Sequence, residues 1–479
     1  MEFSDNHTIP TIRIQKIELT NFKCVSHGEI EIKNGRKNNS KGATSNILGI
    51  YGQNGSGKSA VIEALAILKR AMSGDPVPTR YSECIASGTE YAALAFTFDL
   101  HYSTPTDYNR TVVYSFKISA VPNDTIEDSD GPKIISSLYP TKVKLFDETI
   151  SASGFFNGKN HKMQDILTTT GNHYPIGPVR KISEYVGDQK ESAVIDLEVN
   201  KRTAIKNSCS FIFLSETLDL FTQKSYNSEY AQLLFDLSFY AHYYLHVIDS
   251  RSSGMGSVTA IPLNTRLGTL ALNLLVANRM PQNIFDDLVF YITKINAVLP
   301  ELITDLRIEL KAQETLHNGK KAQEVHLYSR RNDTLIPLRD ESAGILKLIS
   351  ILSLIIASYN DESVSVAIDE LDAGIYEYIL GEILSGLEAH GKGQLIFTSH
   401  NLRPSEVLKK EDIVFTTSSP DNRYLRLKGV AQSNNLRNVY FREILSGTQT
   451  EPLYSASRQE QIVQAFLNAG DGITIDSIQ

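Results

Sequence analysis

Ile47-Leu48-Gly49-Ile50-Tyr51 runs directly into Gly52-Gln53-Asn54-Gly55-Ser56-Gly57-Lys58-Ser59, and Ala60-Val61-Ile62-Glu63-Ala64-Leu65-Ala66-Ile67-Leu68 follows without a breaker. A short continuous apolar run fits a strand buried on both faces, and the run from Ala60 opens a helix. The eight residues between them satisfy G-x-x-x-x-G-K-[ST] in the strand, loop, helix order that the motif's mechanism requires. Glycines let backbone N–H groups turn inward around phosphates, and the helix N-terminus adds its partial positive charge. Gly52, Gln53, Asn54, Gly55, Ser56 and Gly57 are therefore expected to cradle a polyphosphate. Lys58 is expected to meet the β- and γ-phosphates, and Ser59 to ligate Mg²⁺.

A second strand pattern, Val364-Ser365-Val366-Ala367-Ile368, delivers Asp369 and Glu370 to its C-terminal end. Ligands of open α/β sheets bind at that end. Asp369 suits Mg²⁺, directly or through water, and Glu370 suits polarising the water that attacks a γ-phosphate. Tyr376 to Leu387 reads as a helix and Gln394 to Thr398 as a further strand ending at Ser399-His400, so a βαβ alternation about a parallel sheet is expected.

Elsewhere the texture changes. Ile12 to Leu19 alternates as a half-buried strand, Glu29 to Lys33 alternates again, and residues 34 to 46 form a polar loop. Residues 90 to 215 read as an antiparallel sheet, with an acidic breaker-rich loop at 122 to 132 containing Glu127, Asp128 and Asp130. Between 216 and 300 the pattern turns helical; Ile284, Leu288, Ile292, Ile295 and Leu299 form one apolar face. His317-Asn318-Gly319 signals a turn between two strands, and Ile345 to Ala357 is apolar enough for a buried helix. No sustained heptad or internal repeat is present.

Composition bounds the rest. The chain of 479 residues carries 47 Lys+Arg against 55 Asp+Glu, a formal charge of −8, so a wholly basic phosphate-coating surface is excluded. Apolar residues at 41% and charged residues at 21% supply a packed core without the depletion that marks disorder. The acidic, polar N-terminus lacks a basic n-region and an apolar h-region, and no run approaches ~18 apolar residues, so neither export nor a membrane span is expected. Cys24, Cys84 and Cys209 are widely spaced, which excludes a disulfide framework and a zinc ribbon and predicts buried thiols. His242 and His246 stand at i,i+4, but Tyr243 occupies the place where a metalloprotease needs Glu, so they read as packing. Lys33, Arg36, Lys37 and Lys41 make a basic loop that could touch a DNA backbone.

Leu19-Thr20-Asn21-Phe22-Lys23, the GQNGSGKS loop, Ser342-Ala343-Gly344-Ile345-Leu346-Lys347, the AIDELD box and Thr398-Ser399-His400 occur in the order seen in one family. The chain resembles ABC-type ATPases of the SMC/RecF/RecN and overcoming-lysogenisation-defect group. The resemblance implies an α/β P-loop fold of ABC-ATPase type, with a mixed-sheet nucleotide lobe, an inserted antiparallel sheet and a helical lobe. It implies ATP and Mg²⁺ as ligands, hydrolysis as the chemistry, and Lys23 beside the nucleotide. It also implies that Ser342, Gly344 and Lys347 act in trans on ATP held by a second copy. Asp372 resembles the start of the D-loop, and His400 the switch histidine that contacts the γ-phosphate; the Q-loop is not placed.

The expected organisation is an N-terminal ATPase lobe at 1–215, a helical lobe at 216–305, a C-terminal ATPase lobe at 306–430 and a tail at 431–479 for a partner contact. That tail, from Asn434 to Tyr454, is similar to those of ATPases in prokaryotic phage-defence operons such as the Septu and PARIS systems. The similarity implies a cytoplasmic ATPase subunit that scaffolds and regulates a separate nuclease, in a homodimer or higher oligomer. A DNA-clamping repair or recombination ATPase of RecF/SMC type stands as the alternative.

Overall fold

The computed structural model describes residues 9–33, 46–103, 108–122, 141–156, 158–170, 190–222, 229–249, 260–265, 268–317, 320–427, 436–446, 453 and 459–470. The acidic loop residues Glu127, Asp128 and Asp130, and Arg36, Lys37 and Lys41 of the basic loop, lie outside the described residues.

Three strands open the chain, β1 (Thr11–Phe22), β2 (Val25–Glu31) and β3 (Asn46–Tyr51), followed by helix α1 (Lys58–Met72) and a 3₁₀ turn over Thr79–Cys84. Strands β4 (Ala92–Tyr102), β5 (Tyr108–Pro122), β6 (Thr141–Phe156) and β7 (Lys159–Thr168) come next. They join β1 and β2 in an antiparallel sheet of order β2-β1-β4-β5-β6-β7. In β4 every second residue is buried, as a sheet with one face on the core demands. The end of this strand-like region is nonetheless helical, in α2 (Lys190–Asn207).

The 216–305 segment departs from the all-helical expectation. Helices α3 (Ser215–Thr222), α4 (Glu229–Tyr243) and α5 (Gln282–Leu302) are present, but β8 (Leu245–Ile248), the β9 (Ala260–Thr265) and β10 (Gly268–Asn273) hairpin, and β11 (Asn278–Pro281) interrupt them. A four-residue strand is too short to show periodicity against a helical background, and β8 is fixed by pairing with a strand over 100 residues away. On α5 the predicted apolar face is the buried one. His242 lies in the last turn of α4 and His246 in β8, so the two imidazoles do not share a helix face.

β12 (Arg307–His317) and β13 (Lys320–Arg331) form a hairpin in which His317 pairs with Lys320, and β14 (Thr334–Pro337) pairs with β13. Helix α6 (Ala343–Asn360), β15 (Ser365–Ile368), α7 (Glu377–His390), β16 (Gln394–Thr398), the short α8 (Pro404–Val407), β17 (Ile413–Thr416), β18 (Tyr424–Leu425), α9 (Leu436–Ser446) and α10 (Gln459–Gly470) complete the chain. Helix α6 has the length and apolarity to cross a bilayer, which the composition reading did not register. It is a core helix instead, burying Leu346, Ile349, Leu352 and most of its other large residues.

Both chain ends build the second sheet, of order β18-β17-β3-β16-β15-β8. β17, β3, β16, β15 and β8 run parallel and β18 closes one edge antiparallel. All six residues of β3 are buried because both faces are covered. Leu48, Ile50, Ala367, Ile396 and Val414 join the core shared with α1 and the antiparallel sheet. Ile47, Tyr51, Val366, Ile368, Leu395 and Phe397 join the core shared with α5, α6 and α7. The alternation of side chains along each strand thus divides the protein into two cores with the parallel sheet between them.

His246 is buried on the edge strand β8, and that burial, aided by the charge of Lys69, pushes its pKa down to about 3 from 6.5. Between those values the unfolded chain takes up a proton that the native state refuses, so stability falls as pH falls. Replacing His246 by Gln removes this loss. Between pH 6.5 and pH 5 the variant should gain about 2 kcal/mol relative to the parent in urea unfolding.

Candidate nucleotide-binding site

The loop after β3 turns through backbone conformations that side chains resist: Gly52 has φ 153°, Gly55 φ 75° and Gly57 φ 93°. A Cβ on Gly52 would stand 1.8 Å from Thr416 Oγ1, so glycine is required there by contact as well as by angle. Ser56 donates to Gln53 O and shares a hydrogen bond with Thr416 Oγ1. Lys58 donates to the carbonyls of Gly52 at 2.8 Å and Gln53 at 2.9 Å, curling over the loop. The β17–β18 hairpin braces it from outside, with Tyr424 donating to Gly57 O at 2.8 Å and Arg423 to Thr417 O and Cys24 O. Sequence reading missed Thr416, Arg423 and Tyr424, since no local motif marks contacts made across about 365 residues.

Beside the loop, β15 is followed directly by Asp369 and Glu370, and β16 ends in Thr398. The Thr398 hydroxyl donates to Asp369 Oδ1 and accepts from the Glu370 backbone N at 2.8 Å. Glu370 is held at φ 49°. Asp372 Oδ2 accepts from the backbone N of His400 at 3.1 Å and of Asn401 at 2.8 Å, tying the turn after β15 to the turn after β16. The exposed His400 side chain stands on the second of these turns.

Two ammonium groups face these acids. Burial lowers the pKa of Lys58, and Asp369, Glu370 and Asp372 oppose the shift. The same causes act in the same order on Lys347 of α6. Lys347 is only 3% exposed and lies within the field of its own chain's carboxylates. In the single chain the Lys347 side chain is buried, whereas the role in trans expected for it would need it exposed. Ser342 and Gly344 are placed differently. Ser342 caps α6, its hydroxyl accepting from Ile345 N at 3.4 Å, and it is exposed together with Ala343.

Asp369 Oδ2 is buried and has no hydrogen-bond partner. A desolvated carboxylate oxygen without a donor is what a hard divalent cation needs, and the half-buried Ser59 hydroxyl in the first turn of α1 supplies a second oxygen. The residues fit Mg²⁺. Lys23 is engaged elsewhere: its ammonium pairs with buried Glu63 at 2.9 Å, and Cys84 donates to the other oxygen of that carboxylate. Lys23 thus braces α1, and a nucleotide would have to share its charge with Glu63. Cys84 and Cys209 are buried as expected, but Cys24 is exposed, at the turn between β1 and β2.

A glycine-rich loop between a buried parallel strand and a helix, its lysine facing acids at the end of the next strands, defines a P-loop nucleotide-hydrolysing fold. Residues 13–403 match the family model of the AAA ATPase domain, and the chain belongs to that family. It is an ATPase with an α/β P-loop fold.

Among solved structures it is similar to the Smc head domain with an extended coiled coil, bound to the C-terminal domain of ScpA, from Pyrococcus furiosus: 13% identity, 91% of this chain and 99% of that one, TM-score 0.40. The SMC head domain from Thermotoga maritima shares 13% identity over 87% and 99%, with TM-score 0.35. The recombination mediator protein RecF with ATP shares 12% over 83% and 95%, with TM-score 0.32. No curated protein matches the chain in sequence.

Proposed function

We propose that this ATPase works in the cytoplasm as a nucleotide-gated pair of chains, within a prokaryotic antiphage defence complex whose separate nuclease it scaffolds and restrains. One observation carries the two-chain element. Helix α6 buries the Lys347 side chain while Ser342 and Ala343, at its N-terminus, face solvent. Exposed backbone N–H groups and a serine hydroxyl at a helix start suit the γ-phosphate of a nucleotide held by another copy. ATP lies on the loop of residues 52–59, Asp369 and Ser59 hold Mg²⁺, Glu370 polarises the attacking water and His400 contacts the γ-phosphate. The metal's contribution is to neutralise phosphate charge.

A partner contact in the C-terminal tail is supported by α10, which exposes Ile462, Val463, Phe466 and Leu467 at helical spacing. A stripe of that kind fits an apolar groove on another protein.

The test is native mass spectrometry of the Glu370→Gln chain, co-expressed with its native gene neighbours, with and without Mg-ATP. Expected is a nucleotide-dependent pair of chains carrying a second polypeptide. ATP-dependent, salt-sensitive DNA binding without such a polypeptide would replace the defence reading with the DNA-clamping one. A single chain in saturating ATP would overturn the two-chain mechanism.

A further inference from the structure

Two glycines in separate motifs touch. A Cβ built on Gly344, in the first turn of α6, would lie 2.0 Å from the carbonyl oxygen of Gly374, and one built on Gly374 would lie 3.1 Å from Gly344 Cα. Gly374 sits at φ 75°, in the turn that follows Glu370. Gly344 has no positive φ that would demand glycine, so its backbone angle does not account for it. The close backbone approach does.

The turn that Gly374 belongs to is a hydrogen-bonded unit. Ala373 N donates to Glu370 O at 3.0 Å and Ile375 N to Asp372 O at 3.1 Å. At one end Glu370 is fixed in its left-handed conformation by the bond from its N to Thr398. Within it, Asp372 receives the backbone N–H groups of His400 and Asn401. A displacement of Gly374 therefore reaches Glu370 through backbone bonds and His400 through the Asp372 carboxylate.

We propose that Gly344 and Gly374 form a steric joint through which the N-terminus of α6 sets the positions of Glu370 and His400, and that Gly374 is a positioning residue for hydrolysis. The proposal rests on the assignment of Glu370 and His400 to hydrolysis made above, but not on the pairing of chains. Whatever engages the exposed start of α6 would be sensed at the hydrolytic centre of the same chain.

The test is amide hydrogen exchange on the nucleotide-free protein, combined with steady-state ATPase kinetics, for Gly344→Ala and Gly374→Asn. Asparagine tolerates a positive φ, so the second variant adds the colliding Cβ without the full backbone penalty. Gly88→Asn is the control, because Gly88 has φ 81° and a Cβ added there would meet nothing within 4 Å. Both joint variants should speed exchange about tenfold or more in peptides spanning 369–375 and 398–401. They should also lower kcat about tenfold with KM for ATP within about twofold. Gly88→Asn should change neither. Unaltered exchange in those peptides overturns the joint even if turnover falls, since Gly344 would then act only on a second chain's nucleotide. If Gly344→Ala does not fold, Gly374→Asn decides by the same exchange readout.

Discussion

Glu370→Gln should lower ATP turnover by about 10²- to 10⁴-fold while leaving ATP bound. The substitution keeps the shape of the side chain and removes its capacity to accept a proton from water. The backbone around it should hold, because the Glu370 N is anchored on Thr398 and the turn is closed by its own hydrogen bonds. The phosphate loop is untouched, so affinity should stay within a few-fold of the parent's. Phosphate release measured beside nucleotide binding separates the two quantities. Turnover within about tenfold of the parent would place the water-activating group elsewhere.

Lys58→Ala should act on binding first. The lysine is withdrawn from water, only 6% exposed, and its ammonium is held over the loop by two carbonyls. A desolvated ammonium gains most from an anion, and each charge-assisted hydrogen bond contributes about 1.5–3 kcal/mol. Loss of two such bonds, those Lys58 is expected to give the β- and γ-phosphates, predicts ATP affinity reduced by about 100-fold or more and turnover at background. Binding of a fluorescent ATP analogue and the same phosphate assay check this. The Lys347→Met variant provides the contrast: this lysine is buried on α6 rather than part of the phosphate loop, so turnover should fall more than affinity does.

The difference between these two lysines shows where sequence stops being informative. Residues 47 to 68 are legible outright, because strand, loop and helix are contiguous and Gly52, Gly55 and Gly57 are each required by a local angle. The strands ending at Asp369 and Thr398 were legible for the same reason, as short apolar runs closed by polar residues. For Lys347 the family resemblance implies a role in trans, which calls for an exposed side chain. Its helix is apolar on nearly all sides, and a lone ammonium in such a helix must find counter-charges within the fold. That argument was available from composition but not the identity of the partners. Strand β8 and the bracing by Thr416 and Tyr424 depend on pairings across more than a hundred residues, which periodicity does not encode. The Gly344–Gly374 contact joins two motifs that sequence displays 30 residues apart and says nothing about bringing together.

The claim on which the mechanism turns is that Ser342 and Lys58 of different chains complete one site. Mixing Lys58→Ala protein with Ser342→Arg protein tests it directly. Each alone should be inactive: one lacks the phosphate lysine, and the other presents an arginine at the exposed cap of α6. In a mixed pair, one site combines the intact loop of the Ser342→Arg chain with the intact Ser342 of the other. ATP turnover should then rise well above the sum of the separate proteins, toward about a quarter of the parental rate if the pairs form at random and each intact site works independently. Turnover no greater than that sum, in a mixture shown to pair, would mean that Ser342 does not complete another chain's site.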